Sequence, residues 1–119
     1  MENTDFKQSI GSLRISQDVI ATIASFAAKE IDGVASLAPF TSNIKGWLLQ
    51  KQSAKSIAID LNDDVATIDI HVNLKYGAKI NRVSEQIQTS VKEAVQNMTG
   101  IAVSKVNIFV AGIVFDEAI

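Results

Sequence analysis

The sequence has no cysteine, and only one proline, one tryptophan, one tyrosine and one histidine among its 119 residues. Without cysteine there is no disulfide framework, no thiol nucleophile and no thiolate metal site. The count fits a reducing compartment. The lone histidine, His71, has no second imidazole with which to build a metal site. An excess of charge of one sign is also missing. Lys plus Arg number 11 and Asp plus Glu 13, a formal net charge of -2, whereas a general nucleic-acid binder is basic. No nucleic acid is therefore expected as a partner. The longest uncharged apolar stretch, residues 108–115, falls far short of the ~20 residues a spanning helix needs. Residues 1–10 lack a basic region followed by an apolar run, so they do not read as a signal peptide. These features predict a cytoplasmic protein whose membrane contact is peripheral or made through a partner.

With 47% hydrophobic and 20% charged residues, the chain reads as one folded domain with one core. The expected organisation is a flexible N-terminus over 1–10, a single domain over 11–116 and a short tail over 117–119. Residues 11–15 can form a short strand. Ser16 is a candidate N-cap, because its hydroxyl can accept from an amide two or three residues on. Val19, Ile20, Ile23, Ala24, Ala27 and Ile31 follow at helical spacing and predict a helix over 17–31, closed by Gly33. Val34–Leu37 is a short apolar segment. Pro39 then blocks regular structure, and residues 39–55 read as an irregular loop or a short helix.

Residues 56–61 alternate, and Asn62-Asp63-Asp64 signals a turn. The clearest alternation comes next. Ala66, Ile68, Ile70, Val72, Leu74 and Tyr76 face one way, and Val65, Thr67, Asp69, His71, Asn73 and Lys75 the other. That is a hairpin arm buried on one face. A second helix is predicted over about 79–98, with a stripe of Ile80, Val83, Ile87, Val91, Ala94, Val95 and Met98 and a C-cap at Gly100. The last strand, 103–115, is apolar on both faces, which predicts a central position in the sheet, and Gly112 marks a bulge. The expected fold is α+β: a two-layer sandwich of a mostly antiparallel sheet with two helices on one face. One arrangement of that order is the ferredoxin-like β-α-β-β-α-β.

Few residues invite chemistry. Asp69 and His71, two apart on a strand, read as a solvated pair, since nothing completes a metal site. Asp60, Asp63, Asp64 and Asp69 cluster about a turn where water keeps them ionised. No nucleophile elbow, phosphate loop or Gly-x-x-Gly clamp occurs. No catalytic residue, metal or cofactor is expected. Ile44, Trp47 and Leu48 are the candidate partner-binding residues, an apolar anchor rimmed by lysines in the least regular region. Arg14, Lys75, Lys79 and Arg82 form a weaker candidate site for an anionic ligand, the last two near the start of the second helix.

Taken in order, several motifs resemble one family. They are Gly11-x-x-x-Ile15-Ser16-x-x-Val19-Ile20-x-x-Ile23-Ala24, Glu30-Ile31-Asp32-Gly33-Val34, Tyr76-Gly77, Val83-Ser84-Glu85-Gln86-Ile87-Gln88, Met98-Thr99-Gly100 and Val106-Asn107-Ile108 with Gly112-Ile113. Their order and spacing resemble the alkaline shock protein family of Gram-positive bacteria, and its short housekeeping-type members above all. The resemblance implies a non-enzymatic, self-associating cytoplasmic protein of cell-envelope or membrane-lipid homeostasis. It implies protein partners, either a membrane-anchored protein or an enzyme of fatty-acid synthesis. A regulator sensing acyl-CoA or another anionic ligand is the alternative.

Overall fold

The computed structural model describes residues 14–38 and 56–115. The Ser16 hydroxyl accepts from the Val19 amide at 3.2 Å, which satisfies one of the amides a first helical turn leaves unpaired. Helix α1 accordingly runs Gln17–Lys29, two residues shorter than its hydrophobic stripe predicts. Gly33, at φ 106, turns the chain into strand β1, Val34–Leu37. A side chain there would meet Val83 Cγ2 at 2.9 Å, so both backbone conformation and space require glycine.

Strand β2 (Ile57–Asn62) and strand β3 (Val65–Lys75) form the expected hairpin. Asp63 and Asp64 both take positive φ, 55 and 66. Two left-handed residues make the tight turn whose twist matches that of the flanking strands. Along β3, Ala66, Ile68, Ile70, Val72 and Leu74 are fully buried, as their alternation predicts. Helix α2 (Ile80–Thr99) ends where Gly100, at φ 78, returns its amide to the Gln96 carbonyl. Strand β4 (Ala102–Val114) completes the order.

Among the described residues every sheet pairing involves β3. Strand β4 lies parallel to it over its whole length. On the other edge β2 pairs with residues 65–70 and β1 with residues 72–74, both antiparallel, so β1 and β2 share that edge end to end. His71 is the junction. Its carbonyl accepts from the Ala38 amide at 2.9 Å, and its amide donates to the Ser56 carbonyl at 3.0 Å. Helix α1 packs on α2, β1 and β2, while α2 also packs on β4, so both helices cover one face. The result is the expected two-layer α+β sandwich.

Its core joins Ile20, Ala24, Ala27 and Ala28 of α1 to the inward row of β3 and to Val83, Ile87, Val91 and Val95 of α2. Each large aliphatic side chain buried there contributes roughly 1.5–3 kcal/mol.

Four expectations are corrected. Strand β4 is not central, since among the described residues it pairs with β3 alone. Its apolar character on both faces marks an exposed edge rather than a buried middle. The ferredoxin-like arrangement separates its parallel strands by a third, whereas β3 and β4 pair directly. Arg14 and Ile15, the described part of the expected first strand, belong to no strand. Finally, helical stripes overrun the layer they cover. Val19, Ile80 and Met98 are 45%, 47% and 70% exposed, and Tyr76 lies past the end of β3 at 69%. Ile23, Ile108 and Val110 pack against the core while only partly buried.

Candidate interaction surface

The sheet face away from the helices carries a ladder of polar cross-strand pairs. Asn73 Nδ2 donates to Ser36 Oγ at 3.2 Å, Thr67 and Ser104 hydroxyls meet at 3.2 Å, and Asn107 Nδ2 donates to Asp69 Oδ1 at 2.8 Å. The His71 ring stacks on Phe109 with centroids 4.7 Å apart. Asp69 is thus engaged by an amide and His71 by a ring, each on the neighbouring strand. Among the described residues no group of three or more His, Cys, Asp or Glu comes together. Asp60, Asp63 and Asp64 are exposed.

Lys75, Lys79 and Arg82 are all exposed at one end of the molecule. Lys75 ends β3, Lys79 caps α2 without a side-chain hydrogen bond to the helix, and Arg82 lies in a first turn that carries no acid. Arg14 is not brought to them. The Lys75 amide bonds the Gly33 carbonyl at 2.8 Å, beyond the C-terminal end of α1, whereas Arg14 precedes that helix's first turn. A helix of 13 residues separates them by roughly 20 Å. Ile44, Trp47 and Leu48 lie outside the described residues. An open groove of about 510 Å³ runs along β1, lined by Lys29, Val34, Ala35, Ser36, Leu37 and Ser56. Among the described residues its lining holds one cation, Lys29.

The apolar surface is concentrated elsewhere. Tyr76 and Phe115 stack with centroids 4.6 Å apart just past the ends of β3 and β4. They are 69% and 60% exposed, and Phe109, Ile113 and Val114 of β4 are also open to solvent. The Tyr76 amide donates to the Val114 carbonyl at 2.9 Å, which fixes the ring pair to the sheet. The alternation along β3 puts Tyr76 in phase with the buried row, but it cannot reveal that the ring lies past the end of the strand and stays open to solvent.

Two glutamines of α2 also reach β4. Gln88 Nε2 donates to the Val106 carbonyl at 2.9 Å, and the Val103 amide donates to Gln96 Oε1 at 3.0 Å. Periodicity singles out neither glutamine, because both read as ordinary solvent-facing positions of an amphipathic helix.

The model of the alkaline shock protein 23 family, described as having a cell envelope-related function, matches residues 5–115. This chain belongs to the alkaline shock protein family. Relatives in Bacillus subtilis (strain 168) include the uncharacterized protein YqhY, 32% identical over 108 residues that span 90% of this chain and 80% of that protein. Another is the uncharacterized protein YloU, 32% identical and matched over 92% of this chain and 93% of its own. The uncharacterized protein Spy1535 of Streptococcus pyogenes is 35% identical over 91% and 83% of the two chains. The family match bears out the resemblance read from the motifs. Solved structures of MamM CTD share the fold. Two of them give TM-scores of 0.51 and 0.52 at 12% and 10% identity, covering 80% and 82% of this chain and 93% and 99% of theirs. Among the described residues of this alkaline shock protein family chain, no helix is long and apolar enough to cross a membrane.

Proposed function

We propose that this member of the alkaline shock protein family is a non-catalytic interaction module of cell-envelope or membrane-lipid homeostasis, acting through self-association and protein partners. The observation that carries this reading is the exposure of Tyr76, Phe109, Ile113, Val114 and Phe115, five large apolar side chains open to solvent along β4 and just past the ends of β3 and β4. Large apolar side chains left open in one region mark protein–protein contacts. The partner is a membrane-anchored protein or an enzyme of fatty-acid synthesis, met in the cytoplasm or at the inner face of the membrane. Ile44, Trp47 and Leu48 supply a second contact. The test pairs sedimentation of the full chain with affinity capture from native lysate, comparing wild type with Trp47→Ala. The reading expects concentration-dependent association, recovery of an envelope or lipid-synthesis protein, and loss of that protein on Trp47→Ala at unchanged thermal stability. A monomer that recovers no such protein refutes it. If Trp47→Ala keeps the partner but loses several kcal/mol of stability, Trp47 is a core residue.

A second reading rests on Lys75, Lys79 and Arg82 around the α2 start, where the cap residue makes no side-chain hydrogen bond to the helix. Helix amides and cations together suit an anion, which favours an acyl-CoA or another anionic ligand. A rise in melting temperature with acyl-CoA, abolished by Lys79→Ala, supports this reading, and no rise refutes it.

A further inference from the structure

Alternate residues of a strand turn their peptide groups to opposite edges. On β4 the Val114 carbonyl turns toward β3, because it accepts from Tyr76. Val114 pairs with Lys75 on the face away from the helices. The residues of β4 on the helix face therefore turn outward: Val103, Val106, Ile108, Val110 and Ile113, opposite Ala66, Ile68, Ile70, Val72 and Leu74. The hydrogen bonds of the two glutamines fit this parity. Gln96 takes the Val103 amide and Gln88 gives to the Val106 carbonyl. The register also slips between Ala66 and Thr67, leaving Ser104 as an extra residue. Side-chain caps and bulges are how proteins close an edge strand against other chains. Here they close the first half of β4, whereas none of the side-chain hydrogen bonds seen among the described residues reaches an outward group of the second half.

We propose that Ile108–Val114 pairs across a two-fold axis with the same segment of a second copy. The proposal rests on the self-association reading and names its surface. Three observations select a second copy over other occupants. The segment Ile108-Phe-Val-Ala-Gly-Ile-Val114 has no charge and no proline, so its best complement is a neutral apolar strand, which it is itself. The other edge strand, β2, carries Asp60 and Asn62, so β4 against β2 of another copy would set a carboxylate beside apolar side chains. The third observation is area. At about 200 Å² for a whole aromatic side chain, the open fractions of Phe109 and Phe115 come to roughly 210 Å² per copy. Two copies bring roughly 420 Å² from these rings alone, and Ile113, Val114 and the backbone edge add to it toward the ~1,000 Å² of a specific interface. The second slip of register leaves Ala111 as the extra residue near the middle of the segment, next to Val110, about which the outward residues Ile108 and Ile113 pair with each other across the axis, and its methyl group leaves room for the second backbone. Because the glutamines close the rest of the edge, the seam makes a closed pair rather than a growing sheet.

The absence of native cysteine makes the test specific. Ala111→Cys and Asp60→Cys, each in the full chain, are oxidised at low concentration and read on a non-reducing gel, beside sedimentation of wild type, Phe109→Lys and Ile113→Lys. A disulfide-linked dimer is expected for Ala111→Cys and not for Asp60→Cys. Ile113→Lys should weaken the dimer about a hundredfold, because it sets an unpaired charge against Ile108 and Phe109 of the second copy, with an unchanged circular dichroism spectrum. Phe109→Lys checks the same seam from the opposite sheet face. Should the wild type associate while both lysine variants associate equally well, this seam is wrong and self-association stands on another surface. A dimer linked through Asp60→Cys places the contact on the opposite edge and also overturns the proposal. A wild type that stays monomeric refutes the seam and the self-association reading together.

Discussion

Ile87→Ala tests the packing of the two layers. Ile87 is 0% exposed at the middle of α2, within the core cluster that joins both helices to β3. Truncation to alanine removes three carbon atoms, about 2.4 kcal/mol at roughly 0.8 kcal/mol per buried methylene. A cavity term of about 24 cal/mol per Å³ adds to this wherever the surroundings fail to collapse. Collapse is hindered here, because α2 is held against β4 by the Gln88 and Gln96 hydrogen bonds. The expected cost is therefore about 3–4 kcal/mol, a large part of the ~5–15 kcal/mol that stabilises a domain. Urea titration followed by circular dichroism should show the midpoint falling by about 1.5–2 M at an m-value near 2 kcal/mol/M. Met98→Ala, at a position 70% exposed on the same helix, should stay within about 0.5 kcal/mol of wild type. A loss below about 1 kcal/mol for Ile87→Ala at unchanged m-value would mean that α2 does not bury this stripe.

Further expectations follow from single contacts. Gly33→Ala should destabilise more than Gly77→Ala or Gly100→Ala by chemical denaturation. All three have positive φ, but only at Gly33 does a new Cβ meet a neighbour, Val83 Cγ2 at 2.9 Å; equal losses would show that strain alone sets the cost. Ser16→Ala should lose about 1 kcal/mol through the Val19 amide, and a neutral result would mean that water caps the helix equally well. Gln88→Ala with Gln96→Ala should cost roughly 1–3 kcal/mol for two hydrogen bonds. The same double variant should raise light scattering at high concentration, because it opens the first half of the β4 edge; unchanged scattering would remove the protective role from these glutamines.

What the residues disclose depends on which physical question is asked. Local periodicity reports burial, so α1, α2, the β2–β3 hairpin and the inward row from Ala66 to Leu74 were all legible. Capping chemistry was legible at Ser16, Gly33 and Gly100 because it is local too. The place of a strand in the sheet is not local. Ile108–Val114 is apolar on both faces, and an interior strand and an unshielded edge look alike in such a segment. The exposure of Tyr76, Ile80 and Met98 escaped for a related reason, since periodicity gives the direction of a side chain and not the extent of the layer above it. The contribution of Gln88 and Gln96 needs the register of α2 against β4, which no pattern in the helix alone contains.

The meeting of β1 and β2 at His71 has a consequence for how the chain can change. Ala38 and Ser56 are hydrogen-bonded to one and the same residue, so the chain leaves the sheet and returns to it at a single point. For the sheet, a change of length between those two residues is an insertion. Closing a loop at one point costs only about 0.6 kcal/mol more for each doubling of its length. Such a change need not shift the register of any strand. An alkaline shock protein family chain built in this way can acquire a new recognition element at that point while keeping its sheet, its core and its exposed edge intact.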